Sequence, residues 1–255
     1  MSEPHEPRNL LDGLSDRETL ELQYEQVQRR ERELLTRRLP LRGGDVLSVG
    51  CGARPGRHLF PAPAFRLVGV DVDPEKARAA RDWGGADETL VGRAGELPFE
   101  DDSFDVVLYR LTLHHIAYQG PLRPCFEEAA RLLRPGGALV AVEPGLWHPV
   151  GAALALANRS PRLAVRVHGT PDDIPLSPRR LTREAGAVGL EAELHAVTFT
   201  WRRMPRALQT ALWRLDRHGS RPGLRNVGHH LMLIARATSL QAASYSGRPS
   251  AAHSA

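Results

Sequence analysis

The stretch Val46-Leu47-Ser48-Val49-Gly50-Cys51-Gly52-Ala53-Arg54-Pro55-Gly56 runs from an apolar strand directly into glycines. Glycine suits that place because the backbone must turn sharply and approach a ligand closely, which a side chain would prevent. Asp71 closes the next apolar run, Arg66 to Val70, 21 residues after Gly50. At that spacing a carboxylate can accept hydrogen bonds from both hydroxyls of a ribose. The strict dinucleotide pattern G-x-G-x-x-G needs a third glycine at position 55, where this chain has Pro55, so a nicotinamide cofactor is disfavoured.

Working outward, short apolar runs alternate with helical stretches. Asp45 to Val49, Arg66 to Val70, Ala86 to Val91, Phe104 to Leu108 and Ala138 to Val142 each read as a buried strand. Pro74 to Arg81 and Phe126 to Leu133 read as helices, the second stopped by Arg134-Pro135-Gly136-Gly137. That alternation predicts a parallel, doubly wound α/β sheet. Further on, a helix over Arg179 to Ala187, a strand over Glu191 to Thr200, a helix with Leu208, Ala211, Leu212 and Leu215 on one face, and a last strand over Val227 to Ala235 complete the pattern. Upstream, Ser15-Asp16-Arg17-Glu18 reads as a capping box that opens an amphipathic helix with Leu20, Tyr24, Val27 and Leu34 on one stripe. Loose ends are expected at 1–14 and 238–255, with a single domain at 15–237 that includes the helix 15–38 and an insertion at 145–180.

Composition narrows the function. At 255 residues, 42% hydrophobic and 25% charged, the chain is an ordinary globular one. Its longest apolar stretch, Pro149 to Ala157, is far short of the ~20 residues of a spanning helix. The opening residues show no basic start and no apolar run, so a cytoplasmic location is the expectation. Two cysteines form no disulfide framework, and neither Cys51 nor Cys125 has metal-ligand spacing. Acidic side chains outnumber basic ones up to Pro144, and the balance reverses beyond it; only one of the 34 basic residues, Lys76, is a lysine. Arginines at 159, 162, 166, 179, 180, 202, 203 and 206 suit a carboxylate or phosphate on a substrate. The scarcity of aromatics, 5%, argues against nucleic acid, while the basic, Leu/Ala-rich insertion also suits a lipid-like acceptor or peripheral contact with a membrane surface.

Four blocks, VLSVGCG (46–52), LVGVDVDPE (67–75), ELPFEDDSFDVVLYRLTLHHI (96–116) and RLLRPGGALVAVEPG (131–145), carry a family resemblance. Over about 100 residues the chain resembles the class I S-adenosylmethionine-dependent methyltransferases. The resemblance implies a doubly wound, mostly parallel seven-stranded sheet, the Rossmann-like methyltransferase fold, with its last strand antiparallel and a helical substrate cover. It implies S-adenosyl-L-methionine as cofactor and a small-molecule acceptor methylated at oxygen or nitrogen. Carried over to this chain, Gly50, Cys51 and Gly52 would line the methionine and ribose portions, with Ser48 just before them. Asp71 would hold the ribose, Val72 would lie against the adenine, and Ala94 and Gly95 would form its edge. The Tyr109 carbonyl would meet the methionine amino group, with Arg110 and Leu111 alongside. Two residues depart from the family pattern: Ser48 replaces the usual Asp or Glu, and Arg93 replaces the usual Asp at the adenine edge. A non-catalytic or cofactor-independent binding module on the same fold is the alternative that these departures raise.

For the chemistry, His114 and His115 follow the fourth strand and are the candidates for a general base, since histidine titrates near neutrality. Glu143, His148 and Arg179 are candidate substrate contacts, and no metal is expected. His229 and His230, as neighbours in a strand, should fall on opposite faces.

Overall fold

A computed structural model describes residues 17–168 and 170–237. The expected ends at 1–14 and 238–255, and Ser15 and Asp16 of the capping box, lie outside the described residues. In chain order the elements are α1 (Arg17–Arg38), β1 (Gly44–Val49), β2 (Phe65–Asp71), α2 (Pro74–Asp82), β3 (Glu88–Val91), β4 (Phe104–Arg110), α3 (Leu113–Gln119), α4 (Arg123–Leu132), β5 (Leu133–Pro144), α5 (Pro149–Ala157), α6 (Pro161–His168), α7 (Pro178–Ala187), β6 (Leu190–Thr198), α8 (Arg206–Asp216) and β7 (His230–Ala237).

Seven strands form one sheet in the order β3-β2-β1-β4-β5-β7-β6. All neighbours are parallel except β7, which runs antiparallel to both β5 and β6. The strand order reverses between β1 and β4, so their carboxyl ends open a crevice, the place where doubly wound sheets bind ligands. Alternation along each strand feeds two cores. Leu47, Val49, Val107, Tyr109, Leu139 and Ala141 face one side, with Phe126 and Leu132 of α4 and Leu181 of α7. Val46, Leu67, Val106, Leu108, Val140 and Val142 face the other, under Val27, Leu34 and Leu35 of α1. Each fully buried side chain of this kind stabilises the fold by roughly 1.5–3 kcal/mol.

Local signals set the ends of the helices. Asp73 caps α2 by accepting from the N–H groups of Glu75 and Lys76, with Pro74 at the first position. Ser177 caps α7 in the same way, ahead of Pro178. The segment 145–180, expected to be a cover, contributes two short helices, α5 and α6. One boundary differs from the expectation in a way that matters for function: β4 continues past Leu108 to Arg110, which moves the crevice two residues along the chain.

Candidate active site

The turn after β1 has left-handed backbone at Gly50 (φ 62°) and Gly52 (φ 51°). A Cβ on Gly50 would overlap the side chain of Thr112, whose hydroxyl donates to the Gly50 carbonyl at 2.9 Å. A Cβ on Gly52 would instead meet nothing within 4 Å, because that position faces open space. The space is a cavity of about 710 Å³ at the carboxyl ends of β1, β2 and β4, lined by Gly50, Gly52, Asp71, Val72, Ala94 and Gly95. Asp71 is fixed at its edge: one carboxylate oxygen accepts from the Gly52 N–H (2.8 Å) and the other from the Asp73 N–H (3.0 Å). A carboxylate has about four lone-pair sites, so both oxygens still have room for hydroxyl donors. Val72 is apolar yet 65% exposed beside this space, a surface suited to a planar ring. The far wall is Leu111, Thr112, His115 and Asp172.

The side chains of four residues expected at the cofactor do not line this cavity. Ser48 is buried within β1 and does not reach the cavity. Cys51 is also buried, its sulfur against Gly69 of β2, and burial with the Asp71 charge pushes the thiol up to about 12, so it is no nucleophile. Tyr109 is wholly buried and donates its hydroxyl to the Cys125 carbonyl at 2.9 Å. Arg110 turns to α1 and holds Glu31 through two nitrogens, at 3.0 and 3.2 Å. Leu111 (φ 56°), expected alongside Tyr109 and Arg110, lines the cavity, and Thr112 joins it because β4 runs on to Arg110. Arg93 is an exposed part of the cavity wall and offers donors only.

A second cavity, about 360 Å³, adjoins the first and shares Leu111 and His115 with it. Within it His114 is 5% exposed at its side chain and its Nδ1 lies 2.6 Å from Glu143 Oε2. Glu143, expected as a substrate contact, is instead fully buried. Its carboxylate accepts the N–H groups of Thr112 (3.0 Å), Leu113 (2.8 Å) and His114 (3.3 Å), and so opens α3. With Nδ1–H donated to Glu143, the Nε2 of neutral His114 can take up a proton, and the Nε2–H so formed faces Asp173 Oδ1 at 3.5 Å. Burial works to lower the His114 pKa, but the hydrogen bond and charge of Glu143, with Asp173 and Asp172, hold it above the usual histidine value. His115 is more open, its Nδ1 3.1 Å from Asp172 Oδ2, and its ring centroid lies 4.1 Å from that of His114.

Tyr24, Trp201, Arg202, His229 and His230 complete the second cavity. His229 and His230 do not fall on opposite faces: His229 sits in the bend before β7, and the two rings stack at 4.9 Å with 21° between planes. Burial pushes His229 well below the usual value and His230 down to about 4, so both are neutral at pH 7. The remaining substrate candidates lie elsewhere. His148 is buried, caps α5 by accepting from the Val150 N–H (3.2 Å), and donates to the Phe199 carbonyl (3.1 Å). Arg179 packs over the Trp147 ring (5.4 Å) in a separate hollow with Thr182 and Asn226. Sequence reasoning missed Asp172 and Asp173; the signal available was two adjacent acids in an otherwise basic insertion. Among the described residues no group of three or more His, Cys, Asp or Glu is arranged to hold a metal ion, and no helix is long and apolar enough to cross a membrane.

Comparison with known proteins bears on the family and the fold. Residues 47–141 match the family model described as a methyltransferase domain. The chain is 34% identical over 139 residues to the 27-O-demethylrifamycin SV methyltransferase of Amycolatopsis mediterranei, covering 51% of this chain and 49% of that one. It is 35% identical over 104 residues to the demethylmenaquinone methyltransferase of Tropheryma whipplei, covering 40% and 42%. The chain thus spans about half the length, or less, of these curated relatives. In fold it is similar to the crystal structure of a SAM-dependent methyltransferase of Thermotoga maritima, described as a possible histamine N-methyltransferase, with a TM-score of 0.61, 19% identity, and 87% and 94% of the two chains covered. Residues 47–141 are therefore a methyltransferase domain, and the sheet that carries them has the fold of the class I S-adenosylmethionine-dependent methyltransferases.

Proposed function

We propose that this chain transfers the methyl group of S-adenosylmethionine to an oxygen or nitrogen of a small-molecule acceptor that enters the cavity beside His114. The single observation that carries the reading is the adjacency of two cavities across Leu111 and His115, one edged by Asp71 and the glycine turn, the other holding a Glu143-oriented imidazole. Two relatives named for small-molecule acceptors, one of them acted on at an oxygen, support it.

The residues of the first cavity fit the cofactor. Asp71 would hold the ribose hydroxyls, Gly52 would let the backbone approach, and Val72 would lie against the base. When bound there, S-adenosylmethionine supplies a methyl carbon made electrophilic by its sulfonium, so no protein nucleophile is needed. The chain's contribution is to place the acceptor in line at ~3 Å and to exclude water. His114 Nε2 takes the proton from the acceptor's hydroxyl or amine as the nucleophile forms its new bond, and Glu143 stabilises the imidazolium that results. Tyr24 and Trp201 supply flat apolar surface for the acceptor, and Arg202, whose charge reaches His229, favours an acceptor with negative charge over a neutral lipid.

Calorimetry with S-adenosylhomocysteine and NAD tests the reading. Binding of S-adenosylhomocysteine near micromolar affinity, with none for NAD, is expected. No binding of either would favour a non-catalytic module, as the Ser48 and Arg93 departures allow.

A further inference from the structure

The cavity that holds His114 is not closed at its far end. Gln23, Tyr24, Arg110 and Arg202 line both it and a third hollow, about 690 Å³, between α1 and the glycine turn. Since Leu111 and His115 already join the first two cavities, the three spaces run in series, with Tyr24 and Arg202 at the second neck. An acceptor confined to the reaction chamber would have no use for the third space; one longer than that chamber would pass directly into it.

The charges in the third hollow are of two kinds. Arg57 is paired with Asp87 at 2.7 Å and Arg110 with Glu31, so both are neutralised. Glu21 is paired with Arg17, outside the hollow. Arg54 and Arg202 form no ion pair among the described residues; the Arg54 guanidinium instead lies 4.9 Å from the centroid of the Tyr24 ring. Glu25 is the one acid lining the hollow that is likewise without an ion pair among the described residues. Two uncommitted guanidinium groups against one exposed carboxylate leave a net attraction for an anion. Trp83, 73% exposed on the opposite wall, gives an apolar surface on the way in.

We propose that this third hollow is a subsite for the far end of the acceptor, in which Arg54 and Arg202 hold a carboxylate while the body of the molecule passes Tyr24 and its nucleophile sits beside His114. The acceptor class that follows is an elongated molecule with an apolar or aromatic body, a hydroxyl or amine at one end and a carboxylate at the other. This rests on the methyltransferase reading above and adds to it the length and charge of the substrate.

The test uses the protein saturated with S-adenosylhomocysteine and titrated by calorimetry with 6-phenylhexanoate and with its primary amide, which differ in charge but hardly in shape. The acid should bind at least tenfold more tightly than the amide. R202Q and R54Q should each bring the acid down to the level of the amide while S-adenosylhomocysteine affinity stays within twofold of wild type, a control that also reports folding. Equal binding of acid and amide, binding of neither, or an acid preference that survives both substitutions would overturn the subsite. Failure of the wild-type protein to bind S-adenosylhomocysteine would overturn the underlying reading instead, and the two outcomes are read in separate titrations.

Discussion

His114 Nδ1 and Glu143 Oε2 are 2.6 Å apart, and the same carboxylate takes the backbone N–H groups of residues 112 to 114. One buried acid therefore both starts α3 and fixes the imidazole in the wall of the second cavity. The pH dependence follows. A base must be unprotonated, so kcat should rise with pH through the His114 pKa, which Glu143 keeps above the usual histidine value. Glu143→Gln retains the shape but removes the charge, so the acid limb of the kcat profile should move to lower pH while the maximal rate falls. An acid limb that stays in place in this variant would rule out Glu143 as the group that sets it.

His114→Ala should lower kcat by about 10²- to 10⁴-fold and leave S-adenosylhomocysteine affinity unchanged, because His114 lines the second cavity and not the first. His115→Ala, at the junction, should affect both quantities. Single-turnover kinetics and calorimetry on the two variants separate these patterns.

Asp71→Ala should weaken S-adenosylhomocysteine binding by about 1 to 3 kcal/mol, since it removes acceptors for the ribose and also frees the Gly52 N–H that holds the turn. An unaltered dissociation constant would place the ribose elsewhere.

The two glycines of the turn should respond differently to alanine. At Gly50 the new methyl overlaps Thr112 and the backbone is left-handed, so Gly50→Ala should destabilise the whole fold. At Gly52 the methyl projects into the open cavity, so beyond a strain of ~1 kcal/mol the loss should fall on cofactor affinity. Thermal unfolding with and without S-adenosylhomocysteine distinguishes the two: the Gly52 variant should keep most of its melting temperature and lose most of the ligand-induced rise.

The parts of this site that were legible in the sequence are those fixed by local chemistry. The glycine turn and Asp71 sit at the ends of adjacent strands that period-two and period-3.6 patterns mark directly. The parts that were not legible depend on distant partners. Thr112 gives α3 no side-chain cap, and its N-terminal N–H groups are met by Glu143, about 30 residues on, so nothing near Leu113 announces a helix. The apolar stripe of α1 likewise omits Arg30 and Glu31, both buried: Arg30 pairs with Glu33, and Glu31 is met by Arg110 on β4 and by His58. His229 misled because strand alternation was applied to a residue that precedes the strand.

That buried Glu31 gives a last test, on stability. Burial works to raise its carboxyl, yet the Arg110 charge and the His58 hydrogen bond, 2.6 Å long, hold it at about 2, against an ordinary value of 4.5. A depressed acid adds stability that is fully present above its unfolded pKa and lost as pH falls towards the folded one, so about 3 kcal/mol should disappear between roughly pH 5 and pH 2. Glu31→Gln should cost about 3 to 5 kcal/mol at pH 7, because Arg110 is left buried without its counter-charge. Replacing both partners, Glu31→Leu with Arg110→Met, should cost clearly less than the single change, since no uncompensated charge then remains inside. Urea unfolding of the three proteins at pH 7 and pH 2 reads both effects, and a double variant as unstable as the single one would mean that the pair stabilises the seat of α1 on the sheet by more than mutual neutralisation.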